Sequence, residues 1–108
     1  MPLKELQKQV DDWTSQFTPQ YWPPFEIMTQ LQEESGELAR EVTHEHGHKK
    51  KKEGEVPAEL GEEIADVLFP LICLANSQGI DLDKYWDKMI QERLYKRDKD
   101  RFQKVSKL

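Results

Sequence analysis

Cysteine occurs once in this chain, at Cys73, so no intramolecular disulfide can form and the composition fits a reducing cytoplasm. β-branched residues are few and no apolar–polar alternation persists, which argues against strands and for an all-α chain. Long hydrophobic runs are missing too. The best, residues 67–75, is far too short to span a bilayer, and the opening residues MPLKELQKQVDDW lack the apolar core of a signal peptide. A soluble cytoplasmic domain with no membrane role is expected. Basic excess is also absent: the net charge of −5 argues against general nucleic-acid binding, which leaves a basic footprint. A small phosphorylated ligand stays compatible, because local cations matter more there than the total. Hydrophobic residues make up only 36% of the chain against 34% charged, so a single small core is expected, and self-association would help it.

Within those bounds the chain divides into four helical segments. The first covers residues 3–17, with Leu3, Leu6, Val10 and Trp13 as its stripe. Pro19, Pro23 and Pro24 then surround Tyr21 and Trp22, and that stretch cannot be helical throughout. A second helix runs over 24–45, with Met28, Leu31, Leu38 and Val42 as the expected core face. At about 100° per residue, Glu34, Glu37 and Glu41 fall to one side of that face and can line a groove beside it. Residues 47–56, with Lys49 to Lys52 and Gly54, read as a mobile polar loop. Pro57 suits the first turn of a third helix that ends before Gly79, with Leu60, Ile64, Val67, Leu68, Leu71, Ile72 and Ala75 on its buried side. Pro70 lies inside this helix. It cannot bond the Asp66 carbonyl, so a kink or a freed carbonyl is expected. Asp81 is the expected N-cap of a fourth helix carrying Leu82, Tyr85, Trp86, Met89 and Ile90.

Two acidic clusters carry the chemistry. In Glu33-Glu34-x-x-Glu37 and Glu62-Glu63-x-x-Asp66, the pairs Glu34/Glu37 and Glu63/Asp66 are each three residues apart and project from one helix face. One such pair is commonplace on a solvated helix. Two pairs on adjacent long helices, the second followed by the uncharged run 67–80, are harder to dismiss. Packed antiparallel, these helices would converge four carboxylates that repel one another unless protons or cations neutralise them. Hard oxygen ligands favour Mg²⁺ or Mn²⁺.

The run LQEESGELAREV, followed by GEEIADVLFPLICLANSQGIDL, resembles the MazG-like nucleoside triphosphate pyrophosphohydrolases, and most closely their short, single-domain YpjD-type members. The shared signature is EExxE, a variable spacer (here 25 intervening residues), then ExxD. The resemblance covers nearly the whole chain, read as one MazG-like domain over 1–108 with a charged tail at 98–108. It implies an all-α, four-helix-bundle-like fold shared with the dimeric dUTPases, assembled as a homodimer or homotetramer. It further implies hydrolysis of nucleoside triphosphates between the α- and β-phosphates, giving monophosphate and pyrophosphate in nucleotide-pool house-cleaning. Metal-ligand roles carry over to Glu34, Glu37, Glu63 and Asp66, and Glu33 matches a position that can orient the water. Phosphoryl transfer needs charge neutralised and a water aligned, which Mg²⁺ on carboxylates supplies. Two alternatives stay open: a phosphoribosyl-ATP pyrophosphohydrolase, and a helical module that binds metal and nucleotide without turnover.

Cations must then cover the outer phosphates. Arg93, Lys96, Arg97 and Lys99 are candidates, with the Lys49–Lys52 loop as a second source, and Arg97 is weighed against an ordinary surface ion pair. The family often carries Lys-x-Asn before the arginine of this helix; here RLYKR puts Arg93 and Tyr95 there. Asn76 can bond a sugar or base, or cap the helix end. Trp22 and Phe25 can stack on a base or pin the proline loop to the core. Trp13 and Trp86 are expected in the core. His44, His46 and His48 are expected to be solvated rather than metal-bound, and Cys73 lacks the companions of a catalytic thiol.

Overall fold

The computed structural model describes residues 2–47, 50–54 and 59–105, and these form helices with no strand among them. Helix α1 spans Leu3–Thr14, α2 Pro24–His46, α3 Leu60–Ser77 and α4 Leu82–Lys88; the chain then continues as a π-helix, Met89–Arg97. Lys49, His48 and Pro57, to which the sequence assigns a loop and a helix start, lie outside the described residues.

Local chemistry explains most of the boundaries. Pro24 occupies the first turn of α2, where its missing N–H has no partner to lose. Helix α1 stops three residues earlier than expected. The Thr14 hydroxyl donates back to the Val10 carbonyl, and the chain turns there, with Phe17 N–H bonded to Thr14 O. The end of α3 is a Schellman motif: Ile80 N–H reaches Ala75 O, Gly79 N–H reaches Asn76 O, and Gly79 takes the left-handed conformation at φ 67°. Asp81 caps α4 as expected, accepting from Asp83 N–H. Pro70 is fully buried, and α3 runs through it without a break in helical assignment.

The centre of the molecule is the α2–α3 pair, with α1 against α3 and α4 against α1. Polar ties hold α1 in place. Asp83 caps α1 from a distant element, accepting from Leu3 N–H at 3.0 Å and Lys4 N–H at 3.2 Å. Gln7 donates to Asn76 Oδ1 and Ile80 O and accepts from Leu82 N–H, while Asn76 donates to Gln7 O and to the Tyr21 hydroxyl. One glutamine and one asparagine thus clamp α1, the proline loop, the end of α3 and the start of α4.

The apolar faces depart from the sequence expectation. On α2, Met28 and Val42 are exposed, whereas the buried residues are Ile27, Glu41 and His44. On α3, Ile64, Leu68 and Leu71, expected inside, are each more than two-fifths exposed. Trp13 and Trp86, also expected in the core, are 55% and 57% exposed. The radius of gyration is 18.0 Å, against about 13 Å for a compact chain of this length. The chain is spread out. Ile72 and Ala75 are buried as expected, but too few residues stand behind the rest of each stripe to cover it, so those stripes stay partly open within one chain.

Candidate metal centre

Helices α2 and α3 run antiparallel, as their facing residues require: Glu37 meets Glu63 at one level, while Gln30 shares a recess with Phe69 and Cys73 at another. This brings together one carboxylate oxygen each from Glu34, Glu37 and Glu63, all within 4.8 Å of one another. Glu63 Oε2 is buried and, among the described residues, has no hydrogen-bond partner.

Enclosure raises the carboxyl pKa of Glu34 above its usual value, and repulsion from Glu37, Asp66, Glu63 and Glu33 raises it further. Enclosure likewise raises Glu63, followed by repulsion from Asp66, Glu37, Glu41 and Glu62. Asp66 stands outside the 4.8 Å grouping but close enough for its charge to act on both. Glu33 lies on the exposed side of α2.

An orphaned buried oxygen among crowded anions is the condition that a divalent cation relieves. The all-oxygen donor set suits Mg²⁺ or Mn²⁺ rather than a thiophilic metal. The residues present therefore fit such an ion: Glu34, Glu37 and Glu63 would hold it, with Asp66 one helical turn from Glu63.

Flanking the carboxylates on one side is a recess of about 390 Å³, lined among others by Trp13, Phe17, Tyr21, Trp22, Gln30 and Cys73. Trp13 packs edge-on against Phe69 and tilted against Phe17. Trp22 lines this recess, whereas Phe25 is almost fully exposed and neither lines it nor pins the loop. The sequence reading missed the recess as a unit. Its signal was present in spacing: Gln30 is one turn before Glu34, and Phe69 and Cys73 are one and two turns after Asp66. Cys73 is buried and enclosure raises its thiol pKa, the opposite of an activated nucleophile.

On the other side, Glu41 is only 8% exposed and its carboxylate accepts from Lys51 Nζ at 2.7 Å. Next along the helix comes His44, which is buried, not solvated as expected, with no partner for Nδ1 among the described residues. His46 stays exposed beside Glu45.

Other expected contacts do not reach the carboxylates. Asn76 spends both amide hydrogens and its oxygen on the α1 clamp, which gives it a structural task rather than a presented binding group. Arg93, Lys96 and Arg97 lie on the π-helix, which continues α4 directly and makes no substantial contact with the α2–α3 pair among the described residues. Arg97 forms a two-pronged pair with Asp98, at 3.1 Å on each prong, and this pairing lowers the Asp98 pKa. The ion-pair alternative weighed for Arg97 is the one the structure contains.

Residues 24–102 match the MazG nucleotide pyrophosphohydrolase domain. The chain belongs to this family. It is 46% identical over 100 residues to the uncharacterized protein YpjD of Bacillus subtilis (strain 168), spanning 93% of this chain and 89% of that protein. Among solved structures it is similar to the crystal structure of YpjD from Bacillus subtilis, with a TM-score of 0.77 and 44% identity, covering 86% of this chain and 95% of the other. It is also similar to the Bacillus-conserved MazG protein, a nucleotide pyrophosphohydrolase, with a TM-score of 0.72, 39% identity, and coverage of 86% and 89%. The chain is thus a nucleotide pyrophosphohydrolase of short MazG type.

Proposed function

We propose that this enzyme hydrolyses nucleoside triphosphates between the α- and β-phosphates with Mg²⁺, for which Mn²⁺ can substitute. The observation that carries this reading is the trio Glu34, Glu37 and Glu63 converging within 4.8 Å beside an aromatic recess. The recess would take the base, with Trp22 available to stack on it, since aromatic faces hold bases with little regard to sequence. Asp66 completes the metal-ligand set that the family signature suggests. The bound cation would polarise the phosphate oxygens and lower the pKa of the attacking water. The water oxygen bonds to the α-phosphorus, the α–β bridging bond breaks, pyrophosphate leaves with its electron pair, and one proton is released. Glu33, next to Glu34, is the candidate to orient that water.

A homodimer or homotetramer is part of this reading. The open stripes of α2 and α3 would close against a second copy, completing the bundle, and Arg93, Lys96 and Arg97 would reach phosphate only across such an interface. The cell role that fits is cytoplasmic house-cleaning of the nucleotide pool. No described helix is long and apolar enough to cross a membrane.

The test is a product assay with purified protein, Mg²⁺ and a panel of ribo-, deoxyribo- and oxidised triphosphates, wild type beside Glu63→Gln. Monophosphate plus pyrophosphate is expected. Loss of an outer ligand partner typically lowers metal-site activity by about 10–100-fold, so removing a carboxylate that ligates directly should lower it by at least about 100-fold. Absence of turnover on every triphosphate, with metal binding intact, would overturn the reading.

A further inference from the structure

On α2, Gln30, Glu34, Glu37, Glu41 and His44 follow one another at steps of four, three, four and three residues, which places all five along one narrow stripe of the helix. That stripe is the one turned toward α3: Gln30 opens into the recess, Glu34 and Glu37 join Glu63, and Glu41 and His44 are buried. It has a chemical order. An aromatic recess stands at one end, the carboxylates in the middle, and the Glu41–Lys51 pair at the other. From Gln30 to Glu41 the helix rises about 16 Å at 1.5 Å per residue, long enough to lay out an extended nucleoside triphosphate.

We infer that Lys51, held by Glu41, forms the subsite for the terminal phosphates, so that the leaving pyrophosphate lies at the loop end of the α2–α3 groove and the base at the recess end. This rests on the triphosphate reading above and adds to it the direction of the substrate and a cation from the same chain. The physical case is one of charge. The carboxylates repel a polyphosphate, and a metal held at the centre neutralises only the phosphates it touches. The oxygens beyond the α–β bond need a cation one turn further on. Lys51 supplies such a charge beside the stripe, its Nζ 2.7 Å from Glu41 Oε1. Its side chain is 18% exposed, so its charge is partly enclosed and less screened than that of a free surface lysine. Glu41 is also close enough to Glu63 to act on its charge, which puts Lys51 beside the metal trio. An incoming phosphate oxygen therefore meets a positive charge already fixed in position, at little ordering cost.

Magnesium pyrophosphate binding, measured by titration calorimetry, tests this apart from turnover. Wild type, Lys51→Ala, Lys51→Arg and the double variant Glu41→Gln/Lys51→Ala would be compared, with a nucleoside monophosphate as the control ligand. Lys51→Ala should weaken pyrophosphate binding by about 10-fold or more, the range for one charge-assisted contact. Monophosphate affinity should hold, and Lys51→Arg should recover most of the loss. The double variant removes the Glu41 charge together with its Lys51 partner, so it reports on the subsite even where Lys51→Ala folds poorly. Wild-type pyrophosphate affinity in a folded double variant would overturn the inference, as would an equal loss for monophosphate. Either result leaves the hydrolase reading intact if triphosphates are still cleaved. Conversely, Lys51-dependent pyrophosphate binding with no cleavage of any triphosphate would sink the hydrolase reading and leave the subsite standing.

Discussion

The two sides of α2 reverse the ordinary pattern of burial. Its acidic stripe is enclosed for most of its length, with Glu41 and His44 buried, Glu34 half-buried and Glu37 exposed, while Met28 and Val42 on its apolar stripe are open. Helix α3 repeats the contrast: Glu63 has a buried oxygen, whereas Ile64, Leu68 and Leu71 stand partly exposed. In a self-sufficient domain the apolar side would face inward, because burying it is the main driving force of folding. Here part of the inward groove is given to charge, and part of the apolar surface is left open. Contiguous exposed apolar surface of this kind marks an interaction face more often than an accident of packing. The chain trades internal core for a site, and on our reading a second copy supplies the missing core.

Introducing a charge on the open side should have the largest effect. Leu68→Glu is expected to break self-association, with sedimentation shifting to the 12.8 kDa monomer. An unpaired charge buried in an interface carries a penalty of roughly 3–5 kcal/mol, so dissociation should become easier by more than about 100-fold. Wild type that sediments as a monomer and retains full turnover would show that the open stripes need no partner.

A smaller effect is expected at the recess. Truncating a stacked aromatic typically removes about 1–3 kcal/mol of base binding, so Trp22→Ala should raise KM by roughly 10-fold or more. Little change in kcat is expected, because Trp22 stands away from the carboxylates. A fall in kcat with KM unchanged would place the base elsewhere.

The mildest test is of the carboxylates' own repulsion. Glu34 and Glu63 have folded-state pKa values above the usual 4.5, so the folded protein holds protons that the unfolded chain has already released. Stability of the metal-free protein should therefore be highest at low pH within this window. It should decline as pH rises from 4.5 through the raised values, then level off. Saturating Mg²⁺ should flatten the decline. Metal-free Glu63→Gln should melt slightly higher than wild type near neutral pH, by relieving the same repulsion. A melting temperature that rises across that window without metal would mean the cluster is already neutralised by groups of the chain itself.

Much of this architecture was legible beforehand. Pro24, Asp81 and Gly79 marked helix ends because their backbone chemistry acts locally, through a missing N–H, a side-chain cap and a left-handed turn. The acidic pairs announced themselves by spacing. Other features were hidden because they depend on which side chains meet once the chain is folded. Asn76 looked like a binding residue until Gln7 and Tyr21 were seen to occupy it. Lys51 sat within a run of four lysines, and nothing in the run distinguishes it; only Glu41, ten residues back, does. Arg97 was ambiguous until Asp98 was found across its guanidinium.

The sequence alone determined that this chain is helical, where most of its helices begin and end, and which carboxylates share a helix face. Those properties follow from the period of the backbone and from residues acting on their own neighbours. Which stripe turns inward was decided only by the tertiary structure. Periodicity reports that a helix has two unlike sides, but enclosure depends on what packs against each. On α2 the antiparallel approach of α3 enclosed Glu41 and half-enclosed Glu34, and left Met28 and Val42 outside.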